Sequence, residues 1–170
     1  MTLACQYDTM HIMSKSNYTP SGRALTDLVL ELFRLNNQLL AAGDRLVADL
    51  GLTSARWKML GTIAAADRPQ PVAWLARDIG GNRQNVQRIV NDLAKDGLVE
   101  FQPNPHHRRA QLVVLTGAGK RAFDDAMRLQ TPWINELSEG LQAADIEITR
   151  RVVTALSGKL ESDWETEQPE

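Results

Sequence analysis

The sequence predicts a mainly α fold with one small β-hairpin, long helices at both ends and a compact unit between them. Three observations carry this. Apolar residues recur at helical spacing through most of the 170 residues. A glycine pair, Gly80-Gly81, separates two short amphipathic segments. Two short runs at 98–101 and 111–115, the second rich in β-branched and aliphatic residues, flank a proline-stiffened basic loop.

Taken in order, residues 1–19 mix polar side chains without a sustained period and are expected to be a disordered N-terminal tail. A long helix follows over 20–50, with Leu25, Leu28, Val29, Leu32, Leu35, Leu39, Leu46 and Val47 along one stripe. Leu52-Thr53-Ser54-Ala55-Arg56-Trp57 opens the next helix. Val72, Leu75, Ala76 and Ile79 then line a short helix, which Gly80-Gly81 ends because glycine accepts left-handed turn conformations. The segment 82–95 places Val86, Ile89, Val90 and Leu93 on its apolar side, and Asp96-Gly97-Leu98 closes it with glycine at the C-terminal position. The two hairpin strands enclose the loop Gln102-Pro103-Asn104-Pro105-His106-His107-Arg108-Arg109. Long helices fill the rest, one from about 116 toward 139 and one over 144–160 carrying Ile146, Ile148, Val152, Val153, Leu156 and Leu160. Residues 163–170 form an acidic C-terminal tail.

Helix, tight turn, polar-faced helix and basic-tipped hairpin, in that order, describe a winged helix-turn-helix unit over 51–115, an arrangement that holds a helix in a DNA groove. The polar face of the second helix presents Arg83, Gln84, Asn85, Gln87 and Arg88, with no acidic residue before Asp92. A face made only for solubility mixes both charge signs. Arginine can donate two parallel hydrogen bonds to guanine, and Asn or Gln can pair both ways with adenine. Asn82 is a candidate N-cap as much as a candidate base contact. At the hairpin tip, Arg108 and Arg109 suit phosphate or the narrow minor groove.

These motifs, with Asn104-Pro105-His106-His107-Arg108-Arg109-Ala110 leading into Leu115-Thr116-Gly117-Ala118-Gly119, resemble those of MarR-family transcriptional regulators over roughly residues 25–160. The resemblance implies a homodimer built from the first and last helices (20–50 and 116–162), bound to double-stranded DNA at a pseudo-palindromic operator. It implies a repressor released by a small aromatic or phenolic effector held between the dimer helices and the winged lobes. By position, Phe33, Asn37, Trp57, Met59 and Trp133 are the candidate lining residues, although for each the core reading is the stronger, Trp57 and Met59 above all, and Asn37 reads equally as a dimer contact. In the wing, Arg109 matches the family's minor-groove arginine. His107 stands where an aspartate usually orients it, and a protonated histidine would repel the arginine.

Composition sets the outer bounds. A hydrophobic share of 43% suits a globular chain of one domain with a sizeable core. The net charge of −2 weighs little, because the arginines cluster on one helix and the wing while the carboxylates crowd the tail. No apolar run can span a membrane, no secretory signal is visible, and the single cysteine favours a reducing compartment, so a cytoplasmic protein is expected. Phosphate loops, nucleophile elbows and zinc motifs are missing, which argues against an enzyme, and no cofactor is expected. Cys5, beside Gln6 and Asp8, lacks the positive surroundings of a redox sensor. His106 and His107 would point to opposite faces of a hairpin, so no metal site is expected. The alternative reading is a dimeric winged-helix scaffold for protein partners without sequence-specific DNA binding.

Overall fold

The computed structural model describes residues 17–107 and 109–166, with side chains to residue 160. Cys5, most of the 1–19 segment, Arg108 and the acidic side chains from Glu161 onward lie outside the described residues. The chain divides into two units at residues 126 and 127.

The first unit begins with helix α1, Pro20–Leu46, whose N-cap Thr19 accepts a hydrogen bond from the Gly22 amide at 3.0 Å. Proline in its first turn costs no hydrogen bond there. The sequence pattern carries the helix to residue 50, but α1 stops at Leu46. A separate 3-10 turn, Ala48–Leu50, follows and ends on Gly51 at φ 67°. The break turns Val47 fully into the core, where a continued helix would have carried it round with the stripe.

Helix α2, Ser54–Ala65, starts on the N-cap Thr53 and is locked to α1 by polar contacts. The Ser54 amide donates to Asp44 Oδ1 at 2.6 Å, and Ser54 Oγ donates to the Leu40 carbonyl at 2.7 Å. The approach is close because residue 43 is glycine: a Cβ there would lie 2.5 Å from Ser54 Oγ.

The helix pair α3, Val72–Asp78, and α4, Arg83–Lys95, is joined through Gly80 at φ 62°. The Gly81 amide reaches back to the Ala76 carbonyl at 2.8 Å and the Gly80 amide to Arg77 at 3.0 Å, closing the end of α3. Strands β1 (Gln70–Pro71), β2 (Val99–Gln102) and β3 (Leu112–Leu115) form an antiparallel sheet in the order β1-β3-β2. The hairpin pairs Val99 with Leu115 and Phe101 with Val113. The sequence pattern did not reveal β1, which pairs Gln70 with Val113 at the sheet edge, where a proline is tolerated. Met59, Leu60, Leu75, Val86, Val90, Leu93 and Val113 fill a core between α2, α3, α4 and the sheet.

Helix α5, Gly117–Leu137, leaves the hairpin through one knot of hydrogen bonds. Thr116 Oγ1 donates to the Gly97 carbonyl at 2.7 Å, and the Thr116 amide donates to the Leu98 carbonyl at 3.1 Å. The Gly119 amide donates to Thr116 Oγ1 at 3.0 Å, so the same hydroxyl caps α5. The second unit holds the end of α5, a turn through Gly140 and helix α6, Ala143–Thr166, which runs beyond the residue 160 expected from the pattern. On α6 the Arg150 guanidinium donates to both carboxylate oxygens of Glu147, holding that carboxyl below the usual carboxylate range. Among the described residues no helix is long and apolar enough to cross a membrane.

Two glycines of the knot should respond differently to alanine. A Cβ at Gly119 would meet the Leu98 carbonyl oxygen at 1.9 Å, whereas at Gly117 its nearest neighbour is Arg121 Nη1 at 3.6 Å. Gly119→Ala should cost about 1–3 kcal/mol in urea denaturation, as overpacking does, while Gly117→Ala should be close to neutral.

Candidate nucleic-acid interface

Helix α4 is fastened at both ends and along one side. At its start, Asn82 Oδ1 accepts from the amides of Gln84 (2.8 Å) and Asn85 (3.3 Å). At its end, the Leu98 amide donates to the Leu93 carbonyl at 2.9 Å and the Gly97 amide to Ala94 at 3.0 Å, with Gly97 at φ 70°. Along its inner side Val86, Val90 and Leu93 are buried, each contributing about 1.5–3 kcal/mol. An ion pair from Arg56 on α2 to Asp96, just past the helix, completes the fixing, and Arg56 Nη1 also donates to the Gly51 carbonyl at 3.1 Å. A side chain on the outer face of α4 therefore projects from a rigid base.

That outer face carries Arg83, Gln84, Asn85 and Arg88, all exposed, and Gln87, half-buried. Two of these are oriented by neighbours: Arg88 Nη2 donates to Asn85 Oδ1 at 2.8 Å, and Gln87 Nε2 donates to Asn91 Oδ1 at 3.0 Å. Asn91 escaped the sequence reading, although its i,i+4 spacing from Gln87 was visible. Asn82 sits with its carboxamide oxygen committed to capping.

The hairpin tip is organised by Asn104, which the sequence reading placed in the loop motif without assigning it a role. Asn104 Oδ1 accepts from the His106 amide at 3.0 Å, while its Nδ2 donates across the loop to the Ala110 carbonyl at 2.9 Å. Asn followed by Pro at a loop start was the signal for such a side-chain turn. His107 and Arg109 are exposed at this tip. The hydrogen bonds described for His107 use its backbone, to Asn104 and Ala110. A groove of about 790 Å³ runs between helix and hairpin, lined by Arg83, Gln87 and Asn91 on one side and residues 104–107 and 109–112 on the other. Arg68 and Trp74 close its third side.

The residues named for an effector are not gathered in this way. Phe33 and Asn37 lie exposed on α1, Trp57 is half-buried against the core, and Trp133 belongs to the second unit. Met59 has 0% exposure and is a core residue, so it offers a ligand no surface. Its place in the core cluster decides this. Among the described residues no group of three or more His, Cys, Asp or Glu could hold a metal ion.

A helix pair with an acid-free outer face, beside a basic-tipped hairpin on a three-stranded sheet, defines a winged helix-turn-helix protein. A family model for the MarR family matches residues 50–110. An uncharacterized protein of Mycobacterium tuberculosis is 35% identical over 136 residues, covering 78% of this chain and 94% of the relative. A mutant of Escherichia coli MarR complexed with operator DNA is similar at 25% identity and a TM-score of 0.64, over 78% of this chain and 97% of that one. The structure of CouR from Rhodococcus jostii RHA1 bound to p-coumaroyl-CoA shares the fold at a TM-score of 0.68 and 22% identity, over 76% of this chain and 91% of that one. The chain belongs to the MarR family, whose members are transcription regulators and not enzymes.

The cap on α4 can be tested separately from any role in recognition. Asn82→Ala should lower stability by about 1 kcal/mol in urea denaturation, and Asn82→Ser should restore most of it, because a serine oxygen caps the same amides.

Proposed function

We propose that this regulator binds double-stranded DNA as a homodimer at a near-palindromic operator, represses by occupying it, and is released by a small aromatic or phenolic effector. The observation that carries the reading is the outer face of α4: Arg83, Gln84, Asn85 and Arg88 exposed on a helix fixed at both ends, with no acid before Asp92. In the major groove Arg83 and Arg88 would read guanine, and Gln84, Asn85 and Gln87 adenine. The wing, with His107, Arg108 and Arg109, would lie against the minor groove and the phosphates. Asn82 would hold the helix start in place rather than read a base. The operator-bound E. coli MarR structure supports this use of the fold.

Dimerisation is supported by apolar surface. On α1, Leu30 (43% exposed), Phe33 (66%) and Leu35 (48%) are left exposed by the described residues. In the second unit Leu137, Leu141, Ile148 and Leu160 are at least half exposed. Such patches mark interfaces. A second copy related by a two-fold axis would cover them and set two α4 helices one DNA turn apart, roughly 34–36 Å. Within the first unit the effector would meet Phe33, Asn37 and Trp57. The p-coumaroyl-CoA bound by CouR supports an aromatic class of ligand. Release requires the effector to favour the lobe spacing that does not match DNA, since equal affinity for both shifts nothing. The working compartment is the cytoplasm.

Fluorescence anisotropy with the protein's own upstream intergenic DNA, against scrambled duplex of equal length, tests the reading. Specific binding some thousandfold tighter than to the scrambled duplex is expected, at two chains per duplex. Equal, weak binding to both would overturn it. Arg88→Ala should cost about 1–3 kcal/mol and change sequence preference. Arg109→Ala should weaken binding and reduce the salt slope by about one unit.

A further inference from the structure

The third side of the groove carries a feature outside both the recognition helix and the wing. Trp74, on the first turn of α3, is 41% exposed although it is the largest side chain of a helix whose Val72, Leu75 and Ala76 are buried. Two guanidinium groups lie over its ring, Arg68 at 5.4 Å from the centroid and Arg77 at 5.6 Å. Arg68 comes from the segment before β1 and Arg77 from the last turn of α3, so segments on either side of β1 meet on one indole. Among the described residues neither arginine forms an ion pair. Asp67 and Asp78 adjoin them in sequence; of these four residues only Arg68 lines the groove itself. None of the described residues lining the groove is acidic.

Two like charges gathered on one ring repel each other, and the ring's quadrupole offsets only part of that cost. An anion bridging or facing the pair relieves the rest. Contact with the ring restricts the freedom of each guanidinium, which reduces the side-chain entropy lost when it binds. Arg68 and Trp74 share their groove with Arg83 and Gln87 of α4 and with Arg109 of the wing. A duplex that met helix and wing together would lead one sugar-phosphate strand past this third side.

We propose that Arg68 and Arg77, stacked on Trp74, form a phosphate clamp for the DNA backbone flanking each half-site. The clamp rests on the DNA-binding reading above and extends its footprint to a third element. It positions the duplex and carries no sequence information, because its contacts are with phosphates.

Salt-dependent anisotropy titrations on the full chain, with the upstream intergenic duplex and the scrambled duplex, separate the outcomes. Arg68→Ala and Arg77→Ala should each lower the slope of log affinity against log salt by about one unit and weaken both duplexes alike, leaving their affinity ratio intact. Arg68→Lys should keep the slope, since it keeps the charge. Trp74→Leu should weaken binding to both duplexes while circular dichroism shows a folded chain. Unchanged slopes in both alanine variants, with the parent binding its site specifically, would overturn the clamp and leave the regulator reading standing. A changed affinity ratio at constant slope would also overturn it, since the residues would then be reading bases. Slope losses in the alanine variants of a parent that binds both duplexes equally would support the clamp and sink the operator. No binding by the parent would overturn both.

Discussion

The carbonyl of Leu98 is the junction on which the rest of this structure depends. It follows the end of α4, it begins the hairpin, it accepts the Thr116 amide at 3.1 Å, and it leaves room above it for a glycine only, Gly119. Four elements therefore meet at one peptide: the recognition helix, both hairpin strands and α5. A wing reads DNA only if its tip keeps a fixed distance from the recognition helix, and this junction sets that distance at the hairpin base. Backbone groups and the single hydroxyl of Thr116 make the contacts here. The motif Leu115-Thr116-Gly117-Ala118-Gly119 follows from these contacts: a threonine that can bond forward and backward, then a glycine where the carbonyl presses on the helix.

Rigidity at the base explains how the outer face of α4 can be so polar. A helix with mean composition this hydrophilic holds its place through one buried stripe, and Val86, Val90 and Leu93 supply several kcal/mol of it. Its caps satisfy amides and carbonyls at both ends without using the outer face, apart from Asn82. The remaining polar side chains are then free of structural duty, and they bond to one another: Arg88 to Asn85 and Gln87 to Asn91. Such pairs narrow the rotamers open to a reading side chain before any base arrives. The net charge of −2 is compatible with this, because none of the described residues lining the groove between helix and wing is acidic.

Much of this was legible in the sequence because short-range chemistry fixes it. The α3–turn–α4 pair was written in the apolar period and in Gly80, while the exit into α5 was readable only through the family motif, since Thr116 and Gly119 act on Gly97 and Leu98 far away in sequence. What was not legible depends on contacts distant in sequence. Strand β1 is two residues long and contains a proline, and it exists only because β3 has a free edge beside it. The early end of α1 follows from Val47 turning into the core, which no local period announces. Met59 reads as a pocket or a core residue until the packing of α2 places it inside. Trp74 sat off the buried stripe of α3, and that departure was visible. Of its arginine partners Arg77 stands at i+3 on the same helix and was readable, whereas Arg68 reaches it from across β1 and was not.

The same packing gives α1 a physical route to the recognition helix within the first unit. Asp44 and the Leu40 carbonyl hold Ser54 at the start of α2, and Arg56, two residues on, holds Asp96 at the end of α4. Gly43 makes the first contact close enough to be stiff, since any larger residue would meet Ser54 Oγ. A shift of α1 against α2 must therefore either break the Ser54 contacts or carry Ser54, Arg56 and the end of α4 with it. Packed interfaces respond to such a load by switching between arrangements rather than by yielding gradually. Phe33 and Asn37 lie on α1 itself, on the outer side of this joint. Any molecule that bound on α1 would act on α4 only to the extent that it bound one seating of α1 better than the other, so its effect would be bounded by that difference in affinity.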